Sequence, residues 1–208
     1  MAFITRCCTN VQPSRLLGWV AVAALALASL SAWAQNAELT SLRVERNEEG
    51  LFLTARVGFE LSPVVDDALR KGIPIHFVAE AEVLRERWYW YDREVASAQR
   101  HMRVAYQPLT RRWRLNTSAE PIVSSGLGVS LAQNYDSLEE VISAVQRIAR
   151  WKIASASDID GDGRYMLRFR YRLDASQLPR TLQIGSVGHS DWVISVERRI
   201  ELTPELGR

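Results

Sequence analysis

The sequence predicts an α+β domain, mostly antiparallel β-sheet of about seven strands, with one short and one longer helix packed on it. Three observations carry that expectation. Apolar and polar residues alternate with a period of two over much of the chain. The alternating stretches follow one another through turn-type residues, as neighbouring hairpins do. Two segments break the alternation with helix caps and helical periodicity.

In chain order, the first element is a leader. Arg6 and Arg15 precede an apolar run from Leu16 to Leu30, and Ser31-Ala32-Trp33-Ala34 closes it with small residues flanking one arbitrary residue. That is the pattern of a cleavable signal peptide, because the peptidase pocket admits only small side chains there. The run holds about 15 apolar residues, short of the roughly 20 that a spanning helix needs. The expected organisation is a signal peptide over residues 1–34 and one β-rich domain over 35–208.

Leu39–Arg46 and Leu51–Leu61 form the first two strands, with Asn47-Glu48-Glu49-Gly50 as the hairpin turn; Leu51, Leu53, Ala55, Val57 and Phe59 alternate with Phe52, Thr54, Arg56 and Gly58. A short helix follows, with Ser62 as N-cap, Pro63 at the first helical position, early acids Asp66 and Asp67, and a stop at Gly72. Ile75, Phe77, Ala79, Ala81 and Val83 open a strand that runs into Trp88-Tyr89-Trp90-Tyr91. His101–Gln107 and Arg111–Asn116 form a hairpin around Pro108-Leu109-Thr110. The longer helix is expected from Ser137 to about Trp151, on a capping box (Ser137 and Glu140) and an apolar stripe of Leu138, Val141, Ile142, Val145, Ile148 and Ala149. Tyr165–Leu173 alternates again, and Trp192, Ile194 and Val196 open a last strand ending near Leu202.

Both cysteines, Cys7 and Cys8, lie in the leader, so removing it leaves no disulfide, no thiolate nucleophile and no cysteine-ligated metal. Of 26 basic residues two are Arg6 and Arg15, and the remaining 24 balance 24 acidic ones. With no net charge, the processed domain is not expected to bind nucleic acid. Its expected contact with the membrane is through the leader before cleavage. Export without disulfides predicts the periplasm.

Three clusters are candidate sites. Asp158, Asp160 and Asp162 with Gly161 and Gly163 match the first half of a calcium loop, in which alternating carboxylates converge on a hard cation. The twelfth position, where a bidentate Glu belongs, is Phe169, and the competing reading is a solvated turn. Calcium is thus the one cofactor the sequence suggests. Arg168, Arg170 and Arg172 project from one strand face as a possible anion platform. Glutamates such as Glu80, Glu82 or Glu197 are the cross-strand partners that would neutralise them instead. Trp88, Tyr89, Trp90 and Tyr91 put two tryptophans on one strand face and two tyrosines on the other. One pair suits the core and the other a carbohydrate, peptide or headgroup contact. His76, His101 and His189 share no metal-ligand spacing, and His189-Ser190-Asp191 cannot assemble a triad from adjacent positions.

A series of short phrases carries a resemblance: Phe59-Glu60-Leu61-Ser62-Pro63, Ala68-Leu69-Arg70-Lys71-Gly72-Ile73-Pro74, Arg85-Glu86-Arg87-Trp88-Tyr89-Trp90, Val104-Ala105-Tyr106 with Leu109-Thr110, Tyr165 with Arg168 and Arg170, Leu173-Asp174 and Leu178-Pro179. In this order they resemble an uncharacterised family of proteobacterial exported proteins, domain of unknown function 4390. The resemblance runs from about Glu38 to Leu202. It implies a single-domain exported protein of Gram-negative bacteria and no particular activity. The expected function is a non-catalytic binding or accessory domain of the cell envelope, whose partner is an envelope protein or a small ligand. The alternatives are a carboxylate-dependent hydrolase and a structural or assembly factor at the membrane surface.

Overall fold

The computed structural model describes residues 37–87, 92–122, 130–159, 163–179, 182 and 192–202. The chain divides into two units, residues 1–34 and 35–208, and every described residue belongs to the second. Its elements are β1 (Glu38–Asn47), β2 (Gly50–Gly58), α1 (Pro63–Arg70), β3 (Ile75–Arg85), β4 (Arg93–Gln107), β5 (Arg112–Ser118), β6 (Leu131–Tyr135), α2 (Leu138–Val145), β7 (Arg147–Ser155), β8 (Tyr165–Leu173) and β9 (Ser195–Leu202).

Among the described residues, nine antiparallel strands form two sheets, β1-β2-β7 and β6-β5-β4-β3-β8-β9. Lettered A, B, C, C′, C″, D, E, F and G in chain order, they lie A-B-E on one sheet and D-C″-C′-C-F-G on the other. That is the order of a variable-type immunoglobulin sandwich, except that the D strand stays on the edge of the longer sheet. Such an order fixes geometry and carries no function by itself.

Alternation builds the core. Leu51, Leu53, Ala55 and Val57 of β2, Ile75, Phe77, Ala79, Ala81 and Val83 of β3, and Tyr165, Leu167, Phe169, Tyr171 and Leu173 of β8 are all buried in one continuous cluster. Phe59, Phe77 and Tyr171 meet inside it with ring centroids 5.5–6.1 Å apart. The Tyr171 hydroxyl, wholly buried, donates to the Val145 carbonyl at 3.4 Å. Burial raises its pKa well above the ordinary phenol value.

The short helix forms as expected: the Ser62 hydroxyl accepts from the Val65 N–H at 3.2 Å, and Val65, Ala68 and Leu69 face the core. The longer helix does not. Its capping serine is in place, with Ser137 Oγ accepting from the Glu140 N–H at 3.1 Å, but helix α2 stops at Val145. Gln146 then clamps the junction to the end of β2. Its side-chain amide donates to the Phe59 carbonyl at 2.7 Å, and its own carbonyl accepts from the Val57 N–H at 2.9 Å. Arg147–Ser155 is strand β7, which buries Ile148, Trp151 and Ile153 against β2. A register shift between Leu53 and Ala55, opposite residues 148–151, spaces Ile148 and Trp151 three apart, and Arg150 takes a left-handed φ of 40°. A bulge therefore imitates the i, i+3 spacing of a helical stripe.

Two further differences concern β6 and β9. β6 is an uncharged edge strand with four of its five residues exposed, so alternation does not mark it. Trp192 and Ile194 are buried, but they lead into the last strand, which begins at Ser195.

Candidate binding face

The outer surface of the six-stranded sheet carries the predicted arginine row. β8 sends its aromatic and leucine residues inward, so Arg168, Arg170 and Arg172 project outward between β3 and β9. The register sets Glu82 beside Arg168, Glu80 beside Arg170, and Glu197 on the far side of Arg170. Arg168 pairs with Glu82 through Nε and Nη2. Arg170 bridges Glu80 at 3.1 Å and Glu197 at 3.3 Å. Arg172 reaches Glu80 at 3.1 Å and Asp174 at 3.7 Å, and Arg199 pairs with Glu197 at 3.4 Å.

Desolvation works against the charge of Arg170, yet hydrogen bonding and attraction from Glu197 and Glu80 outweigh it and raise its pKa. For Glu197 desolvation is likewise overcome, by Arg170 and then Arg199, and its pKa falls below the ordinary carboxylate value. The row is a cross-strand ionic lattice. An anion arriving there competes with an intramolecular carboxylate at each guanidinium.

Trp88, Tyr89, Trp90 and Tyr91 lie outside the described residues, as do Asp160 and Asp162. Asp158 is described, in a 3₁₀ turn (Ala156–Asp158) between β7 and β8. Its carboxylate accepts from the Ser155 N–H at 2.9 Å and from the Ser157 hydroxyl at 3.4 Å, so both oxygens are engaged within the turn. Among the described residues no three His, Cys, Asp or Glu side chains gather as a metal site. His189 is outside the described residues. His76 and His101 share the outer face of β3 and β4, near Asp174 and Arg103. The Nδ1 of His76 is buried without a hydrogen-bond partner; burial first, then the charge of Arg103, lowers its pKa to about 4. It is a neutral, partly enclosed imidazole at physiological pH.

The opposite surface, the outer face of the three-stranded sheet, is built differently. Since β2 turns Leu51, Leu53, Ala55 and Val57 inward, Phe52, Thr54 and Arg56 face out. Register then assembles the face in rows. Ser41, Arg56 and Arg147 form one, Arg43 and Thr54 with Arg150 the next, and Glu45, Phe52 and Lys152 the third. Arg150 belongs to the middle row because its backbone N–H donates to Thr54 Oγ1 at 3.3 Å, while its guanidinium lies 5.7 Å from the centroid of the half-buried Phe52 ring.

Arg43, Arg56, Arg147, Arg150 and Lys152 are all exposed, and among the described residues none of the five makes an ion pair. Glu45 is the one carboxylate on these rows; Glu38 lies outside them, opposite Gly58, and Glu48 and Glu49 sit in the β1–β2 turn. With strands about 4.8 Å apart and same-face residues roughly 6.8 Å apart, the cations cover about 10 Å by about 14 Å. The sequence conceals this face, because its third strand, β7, lies about 90 residues beyond the β1–β2 hairpin and a bulge disguises it as helix. Its signal is the outward half of each alternation, read once the register is known.

The described chain is thus an antiparallel sandwich with a self-neutralised face on one sheet and an unpaired basic face on the other. The model of the domain of unknown function DUF4390 matches residues 34–201, and the chain belongs to that family. Neither the curated proteins nor the solved structures contain a match.

Proposed function

We propose that this chain is an exported, non-catalytic binding module of the cell envelope that presents the outer face of the β1-β2-β7 sheet to an anionic ligand. One observation carries the reading. Among the described residues, five exposed cations share the outer face of three adjacent strands with Phe52 and make no ion pair, while Arg168, Arg170 and Arg172 of the other sheet are all paired. Like charges held together repel one another and cost stability unless a counter-charge arrives, so an unpaired cluster suits an external anion. The Arg150–Phe52 contact helps to hold one guanidinium in position, which lowers the entropy of engaging it. Export is supported by the leader pattern, basic residues then a short apolar run ending in Ala32-Trp33-Ala34.

Isothermal titration of the full chain with inorganic polyphosphate at low ionic strength tests this. Binding should be measurable, weaken as salt is added, and disappear when Arg56 and Arg147 are both changed to Gln. Titration without heat, or heat unaffected by the double substitution, contradicts the proposal.

A further inference from the structure

We infer that the anion engaged by this face is the headgroup layer of a bilayer containing anionic phospholipid. The inference rests on the reading of the face as a binding surface and names its partner. Three features point to a lipid surface rather than a soluble polyanion. The cations lie together on the outer face of one sheet, so they can meet several phosphates arrayed side by side. Among the cations is Phe52, an aromatic ring partly open to solvent, with Lys152 and Glu45 on either side and Arg150 over it. An apolar ring beside exposed cations matches the headgroup boundary, where phosphates lie directly above hydrocarbon.

Sequence position adds the third feature. β1 begins at Glu38, four residues after Ala34, which closes the apolar leader segment. The sheet that carries the basic face is therefore the first folded element after the segment expected to enter the membrane. A tether of a few residues holds β1 at high effective concentration near the bilayer for as long as the leader is attached. Each cation near an anionic surface strengthens partitioning about fivefold at low ionic strength. Three of them make the difference between transient and sustained contact, and once the leader is gone they keep the domain at the surface.

The test is sedimentation of the full chain with vesicles of phosphatidylcholine alone and of phosphatidylcholine mixed with phosphatidylglycerol. The first arm measures whatever the leader contributes, and the increment in the second belongs to the anionic headgroups. That increment should fall on the order of a hundredfold when Arg56, Arg147 and Lys152 are changed to Gln, and should be lost at high salt. It should be unchanged in Arg168→Gln, Arg170→Gln and Arg172→Gln chains that remain folded. Changing Phe52 to Ser should weaken vesicle binding by a larger factor than polyphosphate binding, which loses only the ring that steadies Arg150. If the triple variant does not fold, Arg147→Glu alone should cut the increment more than tenfold. No increment with phosphatidylglycerol, alongside retained polyphosphate binding, overturns the lipid assignment and spares the basic-face reading. Tighter binding to a short DNA duplex than to the vesicles overturns it as well. Binding to none of the three contradicts the proposed function itself.

Discussion

Glu80 and His76 show how single side chains on the longer sheet are held. Glu80 is 14% exposed and takes hydrogen bonds from Arg170 and Arg172 together. Changing it to Gln leaves two guanidiniums without their common partner, a cost of about 1–2 kcal/mol that urea unfolding would register. Restoring balance with Arg172→Gln in the same chain should recover part of the loss; independent, additive losses would mean that the lattice is not coupled.

His76 makes stability depend on pH. Its folded pKa of about 4 lies below the ordinary 6.5, so as pH falls the unfolded chain takes up the proton first. Its contribution is complete above about pH 6.5 and is lost between there and pH 4, by at most about 3 kcal/mol. Glu197 is held below the ordinary carboxylate range by Arg170 and Arg199, so its own loss falls lower in pH and the two windows separate. A His76→Asn chain should unfold with a flatter profile between pH 4 and 6.5, and an unchanged profile would show that the imidazole is not the group responsible.

At the scale of elements, the α2–β7 junction decides whether the basic face exists. Had residues 147–151 continued the helix, Arg147 and Arg150 would have lain on a helix instead of beside Arg56 and Phe52. Gln146 makes the turn, so Gln146→Ala should cost about 1–2 kcal/mol by leaving the Phe59 carbonyl without its donor. Gly50 marks the other end of the same sheet. Its φ is 137°, and a side chain there would run into the Ala154 carbonyl of β7. Gly50→Ala should therefore destabilise by more than about 1 kcal/mol and loosen the β2–β7 pairing, which amide hydrogen exchange can follow.

These elements also show what the chain reveals before folding. The period-two runs of β2, β3 and β8 and the Ser62-Pro63 helix start are legible because one local rule governs each. β7 is misread because its bulge gives a spacing shared by helix and strand, and only pairing with β2 resolves it. β6 passes unnoticed because an exposed edge strand has no buried face to impose a pattern.

For the whole molecule, the lesson lies in how a neutral total conceals an uneven distribution. The 24 basic and 24 acidic residues of positions 35–208 cancel on paper, which argues against nucleic acid as a partner. Folding distributes them otherwise. β3, β8 and β9 interleave opposite charges on one face, while β1, β2 and β7 collect cations on the other. The arginine row was readable from sequence together with the glutamates that neutralise it, since Glu80, Glu82 and Glu197 alternate on strands of their own. The basic face was not, because nothing local relates Arg147 to the β1–β2 hairpin until the register places it beside Arg56.

The central claim is that binding belongs to the unpaired face and not to the paired one. Its most direct test is the salt concentration at which the chain leaves a sulfated-polysaccharide resin, compared among three proteins of equal melting temperature. Removing charge at Arg56, Arg147 and Lys152 should bring elution to the lowest salt in the gradient, while removing it at Arg168, Arg170 and Arg172 should leave elution where wild type has it. The reverse order, with the β8 arginines controlling retention, would contradict the account.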